Sequence, residues 1–116
     1  MRKRKKGRKF SLKSGKRRAL LHSLLRSLVD KEKIETTEAK AKEMRSFAEK
    51  LITRAKQGSI ADRRHITKAL GDGLAKKLIE KIAPIFKERK GGYTRVIKLG
   101  ARPTDSARMA VIELVK

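Results

Sequence analysis

Apolar residues along this chain repeat first with a helical period and later with a strand period. Ala41, Met44, Ala48, Leu51 and Ala55 alternate spacings of three and four, which lines one face of a helix. Thr37 is placed to cap that helix, and Glu38 stands in its first turn, where negative charge suits the helix dipole. Glu38 and Lys42 form a favourable i, i+4 pair. Gly58 ends the helix as a left-handed terminal residue. An earlier helix is predicted from Ser14, its N-cap, to about Val29, with Leu21, Leu24, Leu25 and Leu28 on its core stripe. Arg18, His22 and Arg26 form a second stripe on the same helix. Between the two helices, the alternating Lys33-Ile34-Glu35-Thr36 reads as an edge strand.

Ser59 opens a third predicted helix that runs through Leu70. Gly71-Asp72-Gly73 is a turn in which Asp72 is the expected cap of a fourth helix, built on Leu74, Leu78 and Ile82. Pro84 breaks or restarts it, and Ile85 and Phe86 are expected to close the core. Gly91-Gly92 marks the change of period. Residues 93 to 99 alternate, with Tyr93, Arg95, Ile97 and Leu99 on one face. Residues 108 to 116 alternate again, with Ala110, Ile112 and Leu114 together, across a hairpin loop of residues 100 to 107. The order is helix, strand, three helices, two strands. The expected fold is α/β of the α+β type: two layers, a small three-stranded mixed sheet with helices on one face.

Charge changes the picture at the N-terminus. Of the first eighteen residues 11 are Lys or Arg and none is acidic. Such a segment repels itself and has only Phe10 and Leu12 to bury. Residues 1–13 are therefore expected to be an extended basic arm, and residues 14–116 a single globular domain. At roughly 3.3–3.6 Å per residue the arm spans about 40–45 Å. The whole chain carries 34 Lys and Arg against 12 Asp and Glu, a formal net charge of +22. Its 23 basic residues outside the first eighteen still outnumber all 12 acidic ones, so the body is basic too. Charge of this size favours a partner that supplies negative charge, and a nucleic-acid backbone is the commonest.

The first helix contains a local conflict. Lys16, Arg17 and Arg18 occupy its first turn, where the dipole is positive and cations are unfavourable by roughly 0.3–1 kcal/mol each. A phosphate docked there accepts backbone N–H bonds and meets the cations, which resolves the conflict.

Other chemistry is excluded or weak. There is no Cys, which removes disulfides, thiolate metal sites and Cys nucleophiles. No apolar run reaches the ~20 residues of a membrane span. The basic start lacks the apolar stretch of a secretory signal. His22 and His65 lie 43 positions apart and read as solvated or phosphate-facing. Ser14-Gly15-Lys16 fails the phosphate-loop pattern, which requires Gly at position 10 and Ser or Thr at 17, because those positions hold Phe10 and Arg17. The acidic residues are scattered singly, so no metal, cofactor or catalytic residue is expected and the function is read as non-enzymatic. Ser59 to Ile82 has the outline of a helix-turn-helix, but Asp72, Leu74, Ala75, Lys76 and Lys77 are poor base readers. Of four aromatic residues, Phe47 and Phe86 read as core, which leaves Tyr93 and Phe10 to stack on bases.

Three segments together resemble the bacterial large-subunit ribosomal protein family seventeen. They are Ile34-Glu35-Thr36-Thr37-Glu38-Ala39-Lys40-Ala41-Lys42-Glu43, then Arg89-Lys90-Gly91-Gly92-Tyr93-Thr94-Arg95-Val96-Ile97-Lys98-Leu99-Gly100, then Met109-Ala110-Val111-Ile112-Glu113-Leu114-Val115. With Met1-Arg2 and Leu51-Ile52-Thr53 the likeness covers essentially the whole chain. The chain departs from the family pattern at Lys3, at Ser14-Gly15-Lys16-Arg17 and at Arg108. The resemblance implies a cytoplasmic structural constituent of the large ribosomal subunit. It implies binding to large-subunit ribosomal RNA near the peptide exit tunnel region, beside neighbouring large-subunit ribosomal proteins, with no membrane partner and no small-molecule substrate.

The expected RNA contacts are Arg2, Lys3, Arg4, Lys5, Lys6, Arg8, Lys9 and Lys13 in the arm, and Lys16, Arg17, Arg18, His22 and Arg26 on the first helix. Thr36, Thr37, Lys40, Tyr93, Arg95 and Arg102 complete the set. The rival reading is a DNA-compacting architectural protein. It calls for a dimer interface or wedge residues, and the sequence offers neither.

Overall fold

In the computed structural model of the protein, residues 14–115 are described. The expected arm of residues 1–13 and its eight candidate contacts, Arg2 through Lys13, lie outside the described residues, as does Phe10.

Helix α1 spans Ser14–Lys31 and buries Leu25, Leu28 and Val29. It runs two residues beyond the expected end because Glu32, not a glycine, takes the left-handed conformation (φ 64°). The Glu32 N–H donates to the Leu28 carbonyl at 2.6 Å, and its carbonyl accepts from the Leu114 N–H at 3.0 Å. The sheet thus helps hold a backbone conformation that a non-glycine residue seldom adopts. Strand β1 (Lys33–Thr37) follows at once.

Helix α2 (Glu38–Gln57) begins where β1 stops. The Thr37 side chain accepts from the Lys40 N–H at 3.4 Å, and Gly58 closes the far end in the left-handed region at φ 67°. All five residues of its predicted stripe are buried, with Ile52 beside them. Helix α3 (Ile60–Leu70) is capped by Ser59, whose hydroxyl accepts from the Asp62 N–H at 3.1 Å.

Helix α4 is short, Asp72–Lys77. Asp72 is its first helical residue and not its cap; Gly71 holds the cap position and supplies no side chain. The backbone then widens into a π-helical turn over Leu78–Ile82 and tightens into a 3₁₀ turn over Ala83–Phe86. Pro84 accounts for the change: it has no N–H to donate to the turn before it, and its ring crowds the carbonyl four residues back. The Ala83 N–H reaches back five residues to Leu78 instead. Phe86 is buried, as expected, but Ile85 is half exposed and does not close the core.

Strands β2 (Thr94–Ala101) and β3 (Arg108–Leu114) form the hairpin. β3 sits in the centre and pairs antiparallel with both β1 and β2. The sheet is therefore antiparallel throughout, not mixed. β1 and β2 run parallel to each other but never touch, because the last strand inserts between them. Ile112 lies opposite both Ile34 and Val96, and Ala110 lies opposite Thr36 and Lys98, on the side that the helices cover. The other side carries Arg95, Ile97, Val111 and Glu113. Leu99 is an extra residue between the Lys98–Ala110 and Gly100–Met109 pairs, and Gly100 takes φ 93° at this bulge.

Candidate nucleic-acid interface

Several cations on and beside the sheet are ion-paired. Glu113 is 3.3 Å from Arg95 and 4.0 Å from Lys33. Glu38 is 2.7 Å from Lys42 and 3.6 Å from Lys98, and these cations hold its carboxyl below the usual carboxylate range. In the hairpin loop, Arg102 grips Asp105 with two hydrogen bonds of 2.9 and 2.7 Å. That grip, with a further bond from the Ala107 N–H, pulls the Asp105 carboxyl down to about 2. Arg95 and Arg102, both expected to meet RNA, are thus already engaged with carboxylates.

The helical side differs. α1 has no acidic residue in its first turn, so Lys16, Arg17 and Arg18 stand together there uncompensated by their own helix. One turn further along, His22 and Arg26 continue the predicted stripe. His22 is half-buried and its proton affinity is lowered, first by burial and then by Arg26, Arg18 and His65. This last neighbour comes from α3. The fold therefore brings the two histidines within electrostatic reach, which their separation in sequence hides.

The residues around His22 form a groove of about 520 Å³ between α1, α2 and α3. Leu21, Leu25, Leu51 and Ala69 make its floor. Arg18, His22, Lys50, Arg54 and His65 make its rim, with the ring of Phe47 between them. Phe47 was expected in the core. It is 39% exposed, because it flanks the buried stripe between Met44 and Leu51 and does not lie on it. Lys50 stands over its ring, 5.8 Å from the centroid.

Arg54 is oriented by Asp62, 3.3 Å away. Asp62 is itself held by the Ser59 hydroxyl at 2.7 Å, a bond that leads the causes lowering its affinity for a proton. Among the described residues no carboxylate pairs with Arg18 or Lys50 at salt-bridge distance.

The remaining expected contacts divide. Thr36 faces the helical layer opposite Ala110, and the Thr37 side chain is engaged in capping α2. Lys40 is partly buried in the first turn of α2. Tyr93 is corrected outright: it is 2% exposed, and its ring meets Phe86 edge-on at 5.2 Å. Gly91 and Gly92 turn the chain so that Tyr93 enters the core just before β2 starts, which leaves no ring face for a base. Phe47, Lys50, Arg54 and His65 line the groove, and none of them is among the contacts expected from sequence. The signal for three of them was present: Phe47, Lys50 and Arg54 follow one another at spacings of three and four on α2, beside the core stripe. His65 had no such signal.

Residues 20–115 match the family described as ribosomal protein L17. The chain is 56% identical over 104 residues to a protein of Borrelia turicatae, covering 89% of this chain and 84% of that one. It is 54% identical over 108 residues to one of Borrelia hermsii, covering 92% and 88%, and 48% identical over 109 residues to one of Desulforudis audaxviator, covering 93% and 97%. Each of these relatives is named large ribosomal subunit protein bL17.

Proposed function

Since the chain belongs to the ribosomal protein L17 family, we propose that it binds large-subunit ribosomal RNA through the basic segment of residues 1–13 and the basic helical face of α1. It is a structural constituent of the large ribosomal subunit and not an enzyme. The observation that carries the RNA reading is the asymmetry of charge. Lys33, Arg95, Lys98 and Arg102, on or beside the sheet, each have a carboxylate partner, while Lys16, Arg17, Arg18 and Lys50 on the helical side have no ion-paired carboxylate among the described residues. An excess of 22 positive charges needs an external anion, and a phosphate backbone supplies one densely.

Further contacts follow from the same reading. Lys16, Arg17 and Arg18 meet a phosphate at the start of α1, where an anion satisfies both the cations and the free N–H groups. Contact near the peptide exit tunnel region, beside neighbouring large-subunit proteins, is the finer position that the family resemblance implies.

The test is sedimentation of the endogenous protein on gradients at high salt. The expected result is comigration with the large subunit, with release only when the salt is raised far enough to displace phosphate contacts. Comigration with chromosomal DNA, or a free pool at moderate salt, would defeat the proposal.

A further inference from the structure

The groove between α1, α2 and α3 is not built like a surface for duplex phosphates alone. A row of backbone phosphates needs only exposed cations, as on the first turn of α1. Here the cations surround an apolar floor of Leu21, Leu25, Leu51 and Ala69. A duplex laid across it would present sugar and phosphate to those side chains and leave them wet. The volume of about 520 Å³ lies within the roughly 300–1,000 Å³ of sites that enclose small organic groups.

The aromatic ring at the rim adds a second constraint. Phe47 exposes 39% of its surface in a chain with only four aromatic residues, of which Phe86 and Tyr93 are buried. Lys50 stands over one face of that ring, 5.8 Å from its centroid, and leaves the opposite face for a base. A π-face flanked by cations matches a nucleobase flanked by its own phosphates. Base–aromatic stacking of this kind tolerates any sequence, since every base has a π-face.

We propose that this groove receives one unstacked nucleotide of the bound RNA, its base against Phe47 and the apolar floor, its flanking phosphates on Arg18 and Lys50. Arg54 is held at the rim by Asp62 and is positioned to hydrogen-bond a base edge or sugar. The proposal rests on the RNA-binding reading above and names the form of RNA that the groove selects: a bulge or loop base, not a paired one. Charge complementarity identifies the occupant. The rim is cationic, the only carboxylate ion-paired with a lining side chain among the described residues is that of Asp62 on Arg54, and an unstacked nucleotide brings both an anion and an apolar ring.

The probes are two RNA hairpins of equal length, one with a single bulged fluorescent adenine analogue and one fully paired. Each is titrated with the full chain and with Phe47→Ala, Phe47→Trp and Lys50→Gln variants. The half-exposed position of Phe47 makes these substitutions compatible with folding, which circular dichroism verifies. Phe47→Ala is expected to weaken binding of the bulged hairpin by about 5- to 100-fold and that of the paired hairpin by less than about twofold. Phe47→Trp is expected to retain binding and quench the analogue. Lys50→Gln is expected to weaken the bulged hairpin more than the paired one. Equal effects on both hairpins, or none on either, would overturn the groove proposal while leaving RNA binding intact. A chain that binds neither hairpin would overturn RNA binding itself, and the groove proposal with it. Displacement from the groove by oligo-glutamate, with no preference for the bulged hairpin, would assign the groove to an acidic protein segment and also overturn the proposal.

Discussion

The Lys56 ammonium donates to the Tyr93 hydroxyl at 3.0 Å and lies 5.0 Å from the centroid of its ring. The same ammonium bonds the Arg89 carbonyl, and the Tyr93 hydroxyl donates to that carbonyl at 3.3 Å. The end of α2 is thereby tied to the turn that launches β2. Lys56 also lowers the proton affinity of the Tyr93 hydroxyl, chiefly through this hydrogen bond.

This contact gives Tyr93 a structural role, which separates stability from RNA binding. Tyr93→Phe should cost about 1 kcal/mol, since Lys56 loses one partner but keeps water and a carbonyl. For a domain of this size the loss is about 4–8 °C in Tm. Tyr93→Ala removes the ring against Phe86 and should cost about 3–5 kcal/mol. Thermal melts measure both. RNA affinity should be unchanged in Tyr93→Phe, and a loss of affinity without a loss of stability would show that the hydroxyl meets RNA after all.

Arg17 and Arg18 should respond in two opposite ways when both are changed to Gln. The free protein should be as stable as before or slightly more so, because roughly 0.3–1 kcal/mol of unfavourable charge–dipole interaction per cation disappears. RNA binding should weaken, and the loss should shrink as salt rises. Melts and titrations on the same variant check this. A variant that melts lower yet binds RNA normally would make both arginines structural residues.

His22 predicts a pH dependence with a definite sign. In the folded protein its proton affinity lies below the ordinary value of 6.5, owing to burial, Arg26, Arg18 and His65. The unfolded chain therefore takes up the proton first, and stability contributed by neutral His22 is lost as pH falls through about 6.5. RNA phosphates reverse the local charge and favour the protonated ring, so binding takes up a proton. RNA affinity should rise as pH is lowered from about 7.5 to 5.5, and His22→Gln should flatten that rise. Titration of the His22 ring signals by NMR, free and RNA-bound, reads the shift directly. An affinity that ignores pH would remove His22 from the interface.

The basic N-terminal segment should set the salt dependence. If residues 1–13 neutralise about eight phosphates, the log–log slope of RNA affinity against salt should be on the order of −6 to −7. Deleting those residues should flatten it strongly. An unchanged slope after deletion would move the main electrostatic contact to the helical face.

What the sequence disclosed was local. Thr37 and Gly58 bracket α2 because a cap and a left-handed terminus are decided within a few residues. The stripe from Ala41 to Ala55 is buried because a helix repeats its face regardless of what it packs on. The misreadings that bear on the sheet are non-local. Nothing near Arg108 says that β3 will enter between β1 and β2 and make the sheet antiparallel. Tyr93 alternates correctly with Arg95 and Ile97, but the paired glycines before it swing it to the opposite side. Glu32 takes a conformation usually left to glycine because a sheet bond to Leu114 holds it there. The candidate groove was half legible: Arg18 and His22 were visible on one stripe of a helix, although Arg26 of that stripe does not line the groove. Phe47, Lys50 and His65 join them only once three helices have packed.

Thr37 belongs to both β1 and α2, and it therefore fixes where the chain can change length. One residue inserted between Thr37 and Glu38 would rotate α2 by about 100° about its axis. Ala41, Met44 and Ala48 would turn away from the sheet, and Lys50 would swing off the groove. The loop from Arg102 to Ala107 imposes no such phase, since it joins two strands whose pairing is held on both sides of the Leu99 bulge. Insertions and deletions should therefore be accepted at the hairpin tip and rejected at the strand-to-helix join.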